Sequence, residues 1–294
     1  MLRGSLIALV TPMAPSGDID WDALAALVEW HIESRSDGLV SVGTTGESPT
    51  VDFAEHKKLM AFTVERAKKR IPVIGGTGAN ATREAIALTQ AAKEVGCDGC
   101  LSVTPYYNKP TQEGLFLHYK AVADAVAIPQ LLYNVPSRTC CDLQAATVLR
   151  LAKVPNIVGI KEATGDMSRA KELIEGRPPG FVVYSGDDAT ARELMLLGGD
   201  GSISVTANVM PVEYRRMCQA ALDGDATSAR AIDAKMEELH KVLFVEANPI
   251  PVKWALREMG RIGGAIRLPL TVLSEQRQPV VRAALERAGL LPKK

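Results

Sequence analysis

The sequence predicts a (β/α)8 TIM barrel with a helical C-terminal extension, and three observations carry that prediction. Short apolar, largely β-branched runs recur about every 20–35 residues, the spacing expected of strand–helix units. Amphipathic helical patterns fill the intervals between them, and beyond Val205 the strand-like runs stop. A chain of 294 residues is of the size that one such barrel and an extension require.

The apolar runs fall at 6–10, 39–42, 72–74, 100–103, 130–132, 157–160, 181–184 and 201–205. Most are continuously hydrophobic rather than alternating, as expected of parallel strands covered on both faces. After the first run, Trp21, Leu24, Val28 and Ile32 keep helical spacing behind Asp20, an N-cap residue type. Ala85, Leu88, Ala92 and Val95 repeat the pattern from Thr82 to a stop at Gly96, and Leu115, Tyr119, Val122 and Val126 make a third such face. A doubly wound sheet is the main competitor. It calls for a glycine-rich fingerprint after the first strand, where this chain has Thr11-Pro12-Met13. Gly75-Gly76-Thr77-Gly78 lacks the fingerprint spacing and reads as a tight strand-to-helix turn. Beyond Met210 only helical patterns follow, at 212–222, 227–242 and 251–259. The expected division is a barrel over 1–224 and a helical domain over 225–294. No low-complexity linker separates the two, so the second should pack directly on the first.

Composition narrows the function. Lys+Arg and Asp+Glu both number 34, and no basic block occurs, which disfavours a nucleic-acid partner. No apolar run reaches the ~18 residues of a membrane helix, and the stretch Ser5 to Val10 is too short for a secretory signal. Five cysteines in a chain this long make no disulfide framework and are read as buried thiols, which fits a reducing cytoplasm. The four histidines are too dispersed for a local metal motif.

In such a barrel the active site lies where strands end and βα loops begin. The strand ends carry Thr11, the Gly43-Thr44-Thr45-Gly46-Glu47 stretch, Thr77, Thr104 to Tyr107, Tyr133-Asn134, Lys161-Glu162, Ser185 to Asp188 and Ser204 to Thr206. Neither a metal-ligand set nor a Ser/His/Asp set assembles from these residues. Lys161 is the most informative, because it ends the run Ile157-Val158-Gly159-Ile160. A lone ammonium is costly there, since burial disfavours the charged form of an amine. Lys161 therefore reads either as an amine that attacks a carbonyl to form an imine, or as one that pairs with Glu162 or snorkels outward. Neighbours on a strand point to opposite faces, which makes the Glu162 pairing geometrically poor. Tyr133 ends the preceding strand and reads either as the proton shuttle of imine chemistry or as a core tyrosine. Thr44 and Thr45, bracketed by glycines, offer hydroxyl and backbone N–H groups to an anion, or simply cap a turn. Arg138 reads either as a bidentate clamp for a carboxylate or as a surface arginine.

Together, Gly43-Thr44-Thr45-Gly46-Glu47-Ser48, Val103-Thr104-Pro105-Tyr106-Tyr107-Asn108-Lys109-Pro110, Tyr133-Asn134-Val135-Pro136-Ser137-Arg138-Thr139, Gly159-Ile160-Lys161-Glu162-Ala163 and Asn248-Pro249-Ile250-Pro251-Val252-Lys253 form a specific set. The set resembles the pyruvate-dependent class I (Schiff-base) aldolase family that includes dihydrodipicolinate synthase and N-acetylneuraminate lyase, over essentially the whole chain. The Tyr-Tyr-Asn-Lys-Pro segment and Arg138 point to the synthase branch. That resemblance implies condensation of pyruvate with L-aspartate 4-semialdehyde on the route to diaminopimelate and lysine. It implies no metal, flavin or nicotinamide. Carried over position by position, it makes Lys161 the Schiff-base residue, Tyr133 the acid/base partner, and Thr44 and Tyr107 the rest of a relay, with Tyr107 reaching across a dimer interface. Thr45 and the backbone at Ile203 hold pyruvate, Gly186 lines the pocket, and Arg138 receives the semialdehyde carboxylate. The implied assembly is a homotetramer, a dimer of dimers. Lysine-inhibited relatives bind lysine near the positions of Ser48, His56, Asn80, Glu84 and Tyr106, all suitable here. Phe53 and Pro49 depart from the sensitive pattern, so lysine inhibition is expected to be weak or absent.

Overall fold

A computed structural model describes residues 2–292. Eight parallel strands close into a barrel in strict sequence order: β1 (Gly4–Ala8), β2 (Gly38–Ser41), β3 (Val73–Gly76), β4 (Gly99–Val103), β5 (Gln130–Asn134), β6 (Ile157–Glu162), β7 (Val182–Ser185) and β8 (Gly201–Ser204). Closure is made by β8 pairing with β1, with Leu6 opposite Ile203. The doubly wound alternative is therefore excluded. The strands match the eight apolar runs of the sequence, mostly to within two residues, because burial on both faces leaves an uninterrupted apolar signature.

Helices cover the outside: α1 (Trp21–Glu33), α2 (Phe53–Ala67), α3 (Thr82–Glu94), α4 (Gln112–Ala125), the short α5 (Pro136–Thr139), α6 (Ala145–Leu151), α7 (Met167–Gly176), α8 (Ala191–Leu196) and α9 (Pro211–Leu222). Asp20 caps α1 as its residue type predicts, accepting from the Ala23 N–H at 3.0 Å. Inside the barrel Leu6, Ala8, Val40, Ile74, Leu101, Leu131, Val182 and Ile203 form one packed cluster with Tyr133 and Tyr184. Each fully buried aliphatic side chain of this kind contributes about 2 kcal/mol over an exposed one. Gly75 and Gly76, expected in a strand-to-helix turn, are instead the last two residues of β3, and packing is what asks for glycine there. A Cβ on Gly76 would come within 2.3 Å of the Val42 carbonyl oxygen, so neighbouring backbone excludes a side chain there.

The extension holds α10 (Ala226–Asp233), α11 (Glu237–Val242), α12 (Ile250–Glu258) and α13 (Gln278–Arg287). Apolar residues of these helices share a single core cluster with those of α1, α2, α8 and α9. Two expectations need correction. The helical pattern over 227–242 is two helices, because the buried Asp233 carboxylate accepts from Arg192 at 2.7 Å and from the His240 ring at 3.1 Å. Seven residues of continuous helix would separate Asp233 and His240 by about 10 Å along the axis; the break brings them together. Of the five cysteines, four are buried but Cys140 is exposed, at the left-handed C-cap of α5 with φ +53°. All five are free thiols.

Candidate active site

A cavity of about 430 Å3 opens at the C-terminal ends of β2 to β5. Thr44, Tyr133 and Arg138 line it, together with Val42, Gly43, Thr77, Val103 and Thr139. Tyr133 and Lys161 are register partners on β5 and β6, so their side chains leave the same face of adjacent strands toward the barrel axis. Lys161 Nζ lies 4.4 Å from the centre of the Tyr133 ring, and both residues are 6% exposed. Glu162 faces the other way. Its carboxylate accepts from the Thr164 N–H at 2.9 Å and the Asn134 amide at 3.2 Å, and burial holds its carboxyl above the usual range. The Glu162 pairing considered for Lys161 is thus excluded, and the Lys161 nitrogen has no carboxylate partner among the described residues.

Space around Lys161 is cut close. A Cβ on Gly186 would stand 2.7 Å from Lys161 Cε and 2.6 Å from Ala163 Cβ, so only glycine at the end of β7 leaves the lysine its place. Ile203, 1% exposed on β8, sends its side chain into the barrel core, and the turn beyond it is clamped. Asp188 accepts from the Thr206 N–H at 2.8 Å, the Val205 N–H at 3.1 Å and the Tyr214 hydroxyl at 2.8 Å.

The Thr44–Thr45 loop is equally constrained. It leaves β2 through Val42 at φ +54°, a costly conformation for a β-branched residue, and Glu47 sits at φ +60°. The Gly43 carbonyl accepts from the N–H groups of Gly46 and Ser48, and the Thr11 hydroxyl donates to the Gly46 carbonyl at 2.7 Å. The extension completes the anchoring. Asn248 Nδ2 donates to Thr45 Oγ1 at 2.9 Å, and Lys253, from α12, forms a buried ion pair with Glu47. Burial holds the Lys253 amine below its ordinary range, against the pull of Glu47. The second Glu47 oxygen accepts from the Arg267 N–H at 3.1 Å.

A model of the dihydrodipicolinate synthetase family matches residues 1–288 of this sequence. The chain belongs to that family. It is 60% identical over 291 residues to a 4-hydroxy-tetrahydrodipicolinate synthase of Pseudomonas aeruginosa, covering 99% of this chain and 100% of the relative. The chloride-inhibited dihydrodipicolinate synthase of Acinetobacter baumannii, solved with pyruvate, superposes with a TM-score of 0.98 at 55% identity, covering 99% of this chain and 100% of that one. The dihydrodipicolinate synthase of Aquifex aeolicus gives a TM-score of 0.97 at 47% identity, with 99% and 100% covered.

Against this family background the predicted residues fall into three groups. Lys161, Tyr133, Thr44, Thr45, Gly186, Ile203 and Arg138 all lie at the C-terminal strand ends, with Arg138 exposed at the mouth on α5. Tyr107 stands apart. It is 87% exposed with φ +74°; like Lys161, Thr45, Gly186 and Ile203 it does not itself line the cavity, but unlike them it projects into solvent. Ser48, His56, Glu84 and Tyr106 line the outer part of the same cavity, beside Pro49 and Phe53. His56 is already engaged with the Gly76 carbonyl at 2.6 Å, and Asn80 contributes its own carbonyl to the Asn108 amide at 2.8 Å. Sequence reasoning missed the anchoring roles of Asp188, Asn248, Lys253 and Glu47. A lysine inside the apolar run Ile250-Pro251-Val252-Lys253-Trp254-Ala255-Leu256 was the available signal, since a cation there needs a buried counter-charge.

Proposed function

We propose that this chain condenses pyruvate with L-aspartate 4-semialdehyde to 4-hydroxy-tetrahydrodipicolinate, in diaminopimelate and lysine biosynthesis, through a Schiff base at Lys161. The single observation that carries the assignment of the nucleophile is a buried lysine without a carboxylate partner among the described residues, set against a tyrosine ring at a strand-end position of the barrel. The neutral amine adds to the pyruvate carbonyl, and loss of water from the carbinolamine gives the imine. The imine draws electrons from the adjacent methyl, which loses a proton to give an enamine. The enamine carbon attacks the aldehyde, whose oxygen takes a proton. Attack of the product's own amine on the imine carbon then closes the ring and frees Lys161.

Tyr133 is the proton carrier of these steps, with Thr44 and Tyr107 completing its relay. Thr45 and the backbone at Ile203 hold the pyruvate carboxylate, Gly186 gives Lys161 room, and Arg138 takes the carboxylate of the semialdehyde. Tyr107, projecting into solvent from its own chain, serves a neighbouring site in a homotetramer built as a dimer of dimers. The barrel part, assigned to 1–224, carries the chemistry, and the part assigned to 225–294 braces the Thr44–Thr45 loop through Asn248, Lys253 and Arg267. Among the described residues no helix is long and apolar enough to cross a membrane; the cytoplasmic location is part of the proposal. Ser48, His56, Asn80, Glu84 and Tyr106 mark the region where lysine binds in inhibited relatives. With Phe53 and Pro49 in place, lysine titrated into the assay inhibits weakly or not at all; strong inhibition at low concentration contradicts this. The activity is tested by coupling to dihydrodipicolinate reductase with both substrates. Turnover is expected, and cleavage of N-acetylneuraminate in its place would overturn the assignment.

A further inference from the structure

The Thr45 hydroxyl has one hydrogen to donate and lone pairs to accept with. Its oxygen accepts from Asn248 Nδ2 at 2.9 Å, and no protein acceptor for its hydrogen exists among the described residues. Both residues are buried, at 3% and 5% exposure, so solvent does not meet that need freely. Asn248 Oδ1 is itself buried without a partner among the described residues, so the bond donated to Thr45 is the one hydrogen bond this amide makes there. Asn248 is also held in place from the sequence side. It stands one residue before the Pro249 N-cap of α12, whose Lys253 is ion-paired with Glu47 of the same loop that carries Thr45. The extension thus holds this loop at the Glu47 carboxylate, through Lys253 and the Arg267 N–H, and separately reaches the Thr45 hydroxyl through Asn248.

We propose that Asn248 is a positioning residue that sets the polarity of the Thr45 hydroxyl, occupying its acceptor side so that its hydrogen is directed at the carboxylate of the bound keto acid. The inference rests on the reading above that Thr45 meets that carboxylate. A donor held ready for an anion costs no reorientation on binding, and a hydrogen bond to a charged group is stronger than one between neutral groups. An acceptor in place of Nδ2 would reverse the arrangement: the hydroxyl would donate to it and present lone pairs to the carboxylate.

The test is Asn248→Asp, nearly isosteric and acceptor-only when ionised. The expected result is a rise of about 10-fold or more in KM for pyruvate, the loss expected for one hydrogen bond to a charged group. KM for the semialdehyde stays near that of the unmodified enzyme, and kcat at saturating pyruvate changes much less. In the Thr45→Val background, which has no hydroxyl to orient, Asn248→Asp adds little further. An equal rise in both backgrounds, or a fall in kcat at unchanged pyruvate KM, overturns the proposal. If the aspartate variant fails to fold, Asn248→Ala decides: it releases the hydroxyl, and a smaller selective rise in pyruvate KM supports the proposal while an unchanged KM overturns it. Borohydride trapping of pyruvate keeps the two readings apart. An adduct at Lys161 in the unmodified enzyme and, at saturating pyruvate, in the variants leaves the Schiff-base reading standing whatever the KM values show. Absence of that adduct in the unmodified enzyme removes the underlying reading instead.

Discussion

Tyr133 and Lys161 are paired in register across β5 and β6, and the lysine amine sits 4.4 Å from the centre of the tyrosine ring. Barrel geometry produces this pairing. Two residues at the same height on adjacent parallel strands share a face, and here both face an interior that is apolar below them. The amine therefore meets an aromatic surface that carries a phenol hydroxyl.

Tyr133→Phe keeps the ring and removes the hydroxyl. The expected result is a fall in kcat of about 100-fold or more, the usual scale for losing a general acid–base group. Imine formation is slowed as well, but a borohydride adduct with pyruvate still accumulates at long incubation. Steady-state kinetics and intact mass measure the two effects separately, and near-normal kcat would remove Tyr133 from the proton path.

Gly186→Ala tests the space kept for Lys161. The added Cβ falls 2.7 Å from Lys161 Cε, so the lysine has to move. Misplacement of a reacting group by about 1 Å costs roughly 100-fold in rate, and a loss of that order is expected without loss of the folded state. Circular dichroism and kcat/KM together decide; full activity would show that the amine has room to spare.

Much of this was legible in the sequence, for identifiable reasons. Runs such as Ile157 to Ile160 are continuously apolar because both faces of the strand are covered, so strand positions and the lysine that ends one of them could be read directly. Asp20 announced α1 by residue type. The partners in contacts across long sequence separations could not be named from local pattern, even where, as at Lys253, a buried cation signalled that one was needed. Asn248 and Thr45 are 203 positions apart, and Lys253 and Glu47 are 206 apart. The break after Asp233 was hidden because its cause is tertiary, the convergence of Arg192 and His240 on one carboxylate. The exposure of Cys140 follows from a left-handed helix end that a run of residue types does not reveal.

Tyr107 gives a prediction about assembly. If it serves the neighbouring chain's site, Tyr107→Phe and Lys161→Ala are each poorly active alone but complement when mixed and allowed to exchange subunits. The mixed dimer contains one site with both Lys161 and a tyrosine at 107. Recovery of activity on mixing is the expected outcome, and an inactive mixture shown by native mass spectrometry to contain hybrids contradicts it.

His31 makes stability depend on pH. The ring is fully buried on α1 with both nitrogens unpartnered, and burial pushes its pKa down from 6.5 to about 3. The folded state therefore keeps the imidazole neutral, while the unfolded chain takes up a proton below pH 6.5. The contribution of this neutral histidine is fully present above that pH and declines as pH falls toward 3, by about 2 kcal/mol at pH 5. His118, pushed down to about 4 by burial, acts in the same direction. Thermal melts at pH 7 and pH 5 should show a smaller acid loss for His31→Leu than for the unmodified chain. An identical loss in both would assign the acid sensitivity elsewhere.

The central claim, that Lys161 is the nucleophile, is tested most directly by reducing the enzyme with borohydride in the presence of pyruvate and mapping the added mass by peptide analysis. A single adduct on the peptide containing Lys161, absent from Lys161→Ala, is the predicted result. A stable adduct on another lysine, or none at saturating pyruvate, would contradict the account.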